Sequence, residues 1–267
     1  MSSLIPNYYL EAEVRKELRK PEGRLTREDL KGLEHLSISG RASRRRFESL
    51  TGLEHATNLA DLSLYDTQIS DITPLASLTG LTKLFLHNSQ INSNGQLGGG
   101  YNKVSDISPL ASLTNLTELW LESNKISDIT PLASLENLAY LDLEANQVSN
   151  VSPLAPLTKL KMLDLFGNRV KDISPLASLT NLTWLCLSGN VVGDISPLAS
   201  LTSLTELWLG HNQPDRALAR AQHQNSDVSS LTSLPNLYVG YIDNRSRSGF
   251  TLAEFERRSG KAFANSG

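Results

Sequence analysis

A 22-residue period constrains the fold of this 267-residue chain more than any other feature. The segment Leu-x-x-Leu-x-Leu-x-x-Asn-x-Ile/Val begins at Leu116 and recurs every 22 residues as far as Leu204. Leu59 and Leu81 begin two related copies that are also 22 residues apart. A unit of this length cannot bury its apolar face alone and does so by stacking on its neighbours. The period therefore predicts a solenoid with one continuous core.

Each repeat combines a short strand with a tight return. The Leu-x-Leu alternation has the period of two that is typical of a strand with one buried face. The connector, for example residues 127–135, contains a proline that interrupts both sheet pairing and regular helix. The asparagine of each copy, such as Asn124 or Asn146, falls where the strand ends. We expect its amide to bond the backbone of adjacent turns, so that the asparagines form a structural ladder.

The repeats resemble the bacterial internalin-type class of leucine-rich repeats. The resemblance rests on Asn-Lys-Ile-Ser-Asp-Ile-Thr-Pro-Leu-Ala-Ser-Leu at residues 124–135, with close copies at 102–113, 168–179 and 190–201. It covers roughly residues 50–245 and implies an α/β fold, the leucine-rich-repeat solenoid. In that fold a right-handed horseshoe carries a parallel β-sheet on its concave face and short 3-10 turns on its convex side.

We predict three regions along the chain. Residues 1–32 form a helical N-terminal cap, in which residues 7–20 read as an amphipathic helix and Thr26 caps a second one. Residues 33–245 form the repeats, with about nine strands. Residues 246–267 form a C-terminal cap, where Thr251-x-x-Glu254 matches a capping box that opens a helix. Insertions near residues 43–46, 89–101 and 213–224 break the period, and we expect them to leave the sheet at one edge.

The third, fifth and seventh positions of Leu-x-x-Leu-x-Leu-x point away from the core and form the surface of the sheet, here called the strand face. Eight aromatic residues occupy these positions, among them all three tryptophans of the chain. Acidic residues are frequent there, and Lys83 is the basic exception. The candidate ligand-binding residues are Tyr65, Phe85, Trp120, Glu122, Tyr140, Asp142, Glu144, Asp164, Phe166, Trp184, Trp208 and Tyr241.

Neighbouring strands lie about 4.8 Å apart, which brings the aromatic residues together. We expect one cluster around Phe85 and Trp120, with Tyr65 and Tyr140 nearby. A second cluster is expected to contain Phe166, Trp184, Trp208 and Tyr241. Asp142, Glu144 and Asp164 are expected between the two clusters, and Cys186 is expected to be exposed. Cross-strand aromatic pairs also stabilise sheets, and acidic residues also form solvated surfaces, so both features have a purely structural interpretation as well.

This pattern favours a protein-interaction scaffold that binds a protein or peptide with basic and apolar anchors on its strand face. Two alternatives remain open, which are carbohydrate binding on aromatic platforms and self-association. We expect no enzymatic activity, cofactor or metal, because phosphate loops, dinucleotide motifs, ligand-spaced histidines and nucleophile motifs are absent from the sequence.

Composition narrows the partners further. A net charge of −3 argues against a nucleic-acid partner. No apolar run is long enough for a membrane span, and no signal peptide is visible. The single cysteine, Cys186, rules out an internal disulfide. The single cysteine favours a reducing compartment, and we expect the cytoplasm rather than the cell exterior. We also expect the protein to be a monomer.

Overall fold

The computed structural model describes most of the repeat region and the residues before it. Its described residues are 3–39, 48–65, 67, 69–87, 103–212, 231, 234, 237–242 and 247–251. Side chains are described for all of these except residues 240–242 and 247–251. The three predicted insertions, near 43–46, 89–101 and 213–224, lie outside the described residues.

Two helices precede the repeats. Helix α1 spans Tyr8–Glu17, and the Asn7 side chain caps it by accepting the N–H groups of Tyr9 and Leu10. Its buried face carries Leu10 and Val14, and the helix contacts the first strand of the sheet. Helix α2 spans Arg27–Lys31 and begins at a capping box, as predicted for Thr26. The helices therefore cover the edge of the first repeat, within the predicted N-terminal cap.

The strands form one sheet in chain order, β1 to β10. Their bounds are β1 His35–Ser39, β2 Asp61–Tyr65, β3 Lys83–Phe85, β4 Glu118–Trp120, β5 Tyr140–Asp142, β6 Met162–Asp164, β7 Trp184–Cys186, β8 Glu206–Trp208, β9 Tyr238–Ile242 and β10 Arg247–Thr251. Strands β1 to β9 are parallel, which confirms the predicted solenoid sheet. In register, the central leucines of successive strands lie side by side, for example Leu119, Leu141 and Leu163.

The nine parallel strands agree with the predicted number, and a tenth strand was not predicted. Strand β10 lies inside the predicted C-terminal cap and pairs with β9 in the antiparallel direction. An antiparallel partner needs only a short connection, whereas a parallel one needs a long crossover. The helix predicted from the Thr251-x-x-Glu254 capping box falls mostly on residues outside the described part of the chain.

Short 3-10 turns lie on the side opposite the strands, and a proline opens each described turn except the first. The turns described are Leu53–His55, Thr73–Ser77, Ser108–Ser112, Thr130–Ser134, Ser152–Leu154, Ser174–Ser178 and Ser196–Ser200. An acceptor side chain precedes most of them; in one case the Asp128 Oδ1 accepts the Thr130 N–H at 2.8 Å. The leucines of strands and turns meet in one continuous buried core. Among the described helices, none has both the length and the apolar character needed to cross a bilayer.

The asparagine ladder predicted from the sequence is present. Asn146 shows its geometry: Nδ2 donates to the Leu121 carbonyl of the preceding repeat at 2.9 Å and to the Leu143 carbonyl at 3.1 Å. Its Oδ1 accepts the Ile126 N–H of the preceding repeat at 3.0 Å. Equivalent bonds are made by Asn124, Asn168, Asn190 and Asn212. Each asparagine thus joins its own repeat to the one before it.

Candidate functional site

The strand face consists of three rows of side chains, one for each outward position of the repeat. The third-position row contains Tyr140, Met162 and Trp184 in neighbouring register. The fifth-position row, in the middle of the strands, runs through Phe85, Trp120, Asp142, Asp164, Cys186 and Trp208. The seventh-position row follows the strands and includes Tyr65, His87, Glu122, Glu144 and Phe166. Because the sheet is parallel and in register, each row is continuous from repeat to repeat.

Aromatic rings contact one another in the N-terminal half of the strand face. Phe85 and Trp120 stack with ring centroids 6.0 Å apart, as predicted. His87 joins this pair to Tyr65, since its ring lies 6.4 Å from Phe85 and 5.5 Å from Tyr65. His87 occupies a seventh position but was not among the predicted ligand-binding residues. These four rings form the first aromatic cluster, and each is partly exposed.

Further exposed or partly exposed aromatic residues lie on the strand face beyond this cluster. Tyr140 is 39% exposed and is among the most exposed large apolar side chains described. Phe166 and Trp184 are also partly exposed. The Trp120 Nε1 atom is buried and has no hydrogen-bond acceptor among the described residues. A buried donor without an acceptor lowers the stability of the folded chain.

In the C-terminal half of the strand face, Cys186 and Trp208 are buried, although both occupy positions that were expected to be exposed. Cys186 is buried, with 1% exposure, between Asp164 and Trp208 of the neighbouring strands. Trp208 is 8% exposed, and its ring packs edge-on against Tyr238 with centroids 5.9 Å apart. A position that points away from the core can therefore still be shielded by side chains of the neighbouring strands, as Trp208 is by Tyr238.

The prediction for Tyr241 was wrong in register: β9 places Tyr238 beside Glu206 and Gly240 beside Trp208, so these two residues, and not Tyr241, continue the outward rows. The second aromatic cluster therefore does not form with the membership predicted for it.

Asp142 and Asp164 lie side by side between the aromatic residues, as predicted, but they are buried rather than solvated. Their exposures are 5% and 7%, and their Cα atoms are in register on β5 and β6. In each, Oδ1 accepts the N–H of the residue two positions later, Glu144 or Phe166, at 2.8 Å. These bonds hold both carboxyl groups against the sheet.

Burial raises the pKa of both carboxyl groups. The pKa of Asp142 rises to about 7 because of desolvation, the Glu144 charge adds to the rise, and the bond from the Glu144 N–H opposes it. The pKa of Asp164 rises to about 8 through desolvation, with contributions from the charges of Asp142 and Glu144. Burial likewise raises the pKa of the Cys186 thiol, which keeps it neutral and a poor nucleophile.

Three carboxylates on this face lie close enough to share a cation. One oxygen each from Glu122, Asp142 and Glu144 lies within 4.8 Å of the others. Oxygen ligands suit hard cations such as Ca²⁺, but a ligating carboxylate must be ionised, and burial of Asp142 opposes its ionisation. Proximity alone therefore does not define a metal centre here.

The remaining charges on the strand face are paired or exposed. The Lys83 ammonium lies 2.7 Å from the Glu118 carboxylate on the adjacent strand, and this bond raises the pKa of the lysine. Glu206 is exposed at the C-terminal end of the third-position row. The described part of the strand face is therefore aromatic and acidic, and its one lysine is paired with Glu118.

Together, the stacked repeats, the parallel sheet and the 3-10 turns define a leucine-rich-repeat solenoid. A family model described as "Leucine Rich repeats (2 copies)" matches residues 96–134, 136–178 and 180–218. The chain is similar to the internalin InlF of Listeria monocytogenes, with 30% identity over 91% of this chain and 74% of that one, at a TM-score of 0.66.

A second internalin of the same organism, internalin C2, is 37% identical over 77% of this chain and 94% of that one, at a TM-score of 0.58. The comparison with curated protein sequences found no match. The chain belongs to the internalin-type leucine-rich-repeat proteins, as the repeat pattern predicted. Its fold is that of a protein-interaction scaffold.

Proposed function

We propose that this protein binds a protein or peptide on its strand face and has no enzymatic activity of its own. The observation that supports the proposal is the set of exposed or partly exposed aromatic residues that recurs along the strand face from Tyr65 to Trp184. Aromatic side chains dominate the energetics of protein interfaces, and a large exposed apolar surface marks an interaction site.

The charge of the same surface indicates the chemistry of the partner. Glu122, Glu144 and Glu206 lie on the strand face, and Lys83 is paired with Glu118. A partner segment with a lysine or arginine flanked by apolar side chains complements this surface. Acidic residues would speed its approach and select its orientation, while the aromatic residues would supply most of the affinity.

The experiment compares binding by the intact protein with that of a variant in which the third-position row is truncated. Tyr140→Ala with Trp184→Ala removes two partly exposed rings that carry no structural hydrogen bond among those described. Tyr8→Ala is the matched control, since Tyr8 is 72% exposed on helix α1 and lies away from the strand face. Each protein serves as bait for affinity capture, and the captured partner is then purified for calorimetry.

We expect the double variant to bind the partner at least tenfold more weakly, which corresponds to about 1.4 kcal/mol or more. The Tyr8→Ala control should bind like the unaltered protein. Affinity should also fall as salt is raised, whereas a neutral glycan on the same aromatic surface would be insensitive to salt. Equal binding by all three baits would contradict the proposal and direct attention to the convex side.

A further inference from the structure

Asp142 and Asp164 form a pair whose position is fixed by the sheet. Their strands are hydrogen-bonded neighbours, the two residues are in direct register, and both are more than nine-tenths buried. The N–H groups of Glu144 and Phe166 hold one oxygen of each carboxyl group. Neither side chain can rotate into solvent to relieve repulsion without breaking one of these bonds.

The groups that face the pair are acidic or neutral. Glu122 faces Asp142 from the end of β4, Glu144 from the end of β5, and Cys186 faces Asp164 from β7. The four strand segments around the pair, residues 118–122, 140–144, 162–166 and 184–188, contain no lysine, arginine or histidine. Two adjacent carboxylates with little water and no counter-cation cannot both ionise at the pH of an ordinary carboxyl group.

We propose that the Asp142–Asp164 pair is a proton switch that sets the charge of the strand face. In mildly acidic solution the pair holds protons, and the middle of the strand face is neutral. In mildly alkaline solution it releases them, and the face gains up to two negative charges. The pKa values of about 7 and about 8 place this change close to neutral pH.

The switch bears on the proposed function, and for this consequence it rests on that proposal. A partner that carries a lysine or arginine would be held more tightly when the pair is ionised, so its affinity would rise as the pH increases through the neutral range. The protons bound by the pair would be released as the cation docks. The pair would thus regulate the same surface that binds the partner.

The switch can be tested without any partner, because all three tryptophans of the chain lie on the strand face. Tryptophan fluorescence is quenched with iodide, with caesium and with neutral acrylamide between pH 5.5 and 9, at constant total salt. As the pair ionises it should repel iodide and attract caesium. We expect the iodide quenching constant to fall about twofold across this range while acrylamide quenching stays constant.

Two variants isolate the pair from other groups. Asp142→Asn with Asp164→Asn keeps the acceptor oxygens but cannot titrate, and it should show a much flatter iodide profile. Asp128→Asn with Asp172→Asn removes the same number of charges from the opposite side, where hydrogen bonds lower the pKa of both residues, and it should retain the full profile. Every other ionisable group of the strand face is present in all of these variants, so differences between their profiles report on the substituted residues.

If the double variant fails to fold, Asp142→Asn alone serves, and the transition of Asp164 should move to lower pH because the neighbouring Asp142 charge that raises its pKa is gone. The proposal is overturned if the unaltered protein and the Asp142/Asp164 variant have the same iodide profile. It is equally overturned if Asp142→Asn leaves the transition of Asp164 unmoved. A pH-dependent profile together with unchanged partner binding by the Tyr140/Trp184 variant would uphold the switch while contradicting the proposed function.

Discussion

Asn146 shows how much a single side chain contributes to the solenoid. Its amide donates to two buried carbonyl oxygens and accepts a buried N–H from the preceding repeat. Replacing it with alanine leaves these backbone groups without their partners in a buried site. A buried unsatisfied polar group costs about 1–3 kcal/mol.

We therefore predict that Asn146→Ala lowers the free energy of unfolding by about 2–4 kcal/mol, since more than one group loses its partner. Urea denaturation followed by circular dichroism measures the change. Asn137→Ala is the matched control, because Asn137 also donates to the preceding repeat, at the Thr114 carbonyl, but is exposed. A loss no larger than that of the control would show that the ladder is not a main source of stability.

The Asp142–Asp164 pair predicts a pH dependence of stability as well as of charge. Because folding raises the pKa of both carboxyl groups, the folded chain binds more protons than the unfolded chain between about pH 4 and pH 8. The stabilisation that comes from proton binding by the pair is therefore complete below the pKa of these aspartates in the unfolded chain. It is lost as the pH rises through 7 to 8. A tenfold difference in proton affinity between the folded and unfolded chain corresponds to about 1.4 kcal/mol.

The Asp142→Asn, Asp164→Asn variant should lose this dependence. Its stability relative to the unaltered protein should increase by a few kcal/mol between pH 5 and pH 8.5, as measured by denaturation at each pH. Taking the difference between the two proteins cancels the opposite effect of Asp128 and the other convex aspartates, whose pKa values are lowered. A constant difference across this range would mean that burial does not raise the pKa of these carboxyl groups.

At the scale of the element, strands β4 to β8 are each followed by a left-handed residue just before the asparagine of the repeat. Ser123, Ala145 and His211 adopt this conformation with φ between 53° and 58°. Gly167 and Gly189 do so in the intervening repeats, with φ of 66° and 70°. The turn therefore needs a positive φ, which glycine adopts freely and other residues adopt at a cost of about 1–2 kcal/mol.

Opposite substitutions in this turn should have opposite effects. We predict that Ala145→Gly raises the melting temperature slightly, since it relieves the strain of the left-handed conformation. Gly189→Ala should lower it, because a Cβ at this position would lie 3.1 Å from the Gly167 N and 3.2 Å from its Cα. Scanning calorimetry measures the melting temperature of both variants. A lower melting temperature for Ala145→Gly would contradict the role assigned to the turn.

Over the whole molecule, the repeat pattern predicted the solenoid, the parallel sheet and the asparagine ladder from residues that recur at fixed spacing, such as Leu119. The prolines predicted tight returns, and the resemblance to internalin-type repeats implied that these returns are 3-10 turns. The antiparallel strand β10 was missed because it lies beyond the last repeat, where no period guides the prediction. The cap at Thr26 depends on local hydrogen bonds and was accessible from the sequence, whereas the cap at Asn7 was not predicted.

The candidate site was less predictable than the fold. Alternation in a strand tells which face a side chain belongs to, but not how closely its neighbours shield it. Cys186 and Trp208 are buried for this reason, and Asp142 and Asp164 become proton-binding groups rather than solvated charges. Such shielding depends on side chains from adjacent repeats, which lie 22 residues apart in the sequence.

The central claim is that a protein or peptide binds on the strand face, and hydroxyl-radical footprinting of the chain with its captured partner tests it most directly. Oxidation of Tyr140, Phe166 and Trp184 should be strongly reduced in the complex, while oxidation of Tyr8 on helix α1 should not change. Protection of the convex side, with Tyr140 and Trp184 oxidised as in the free protein, would contradict the claim.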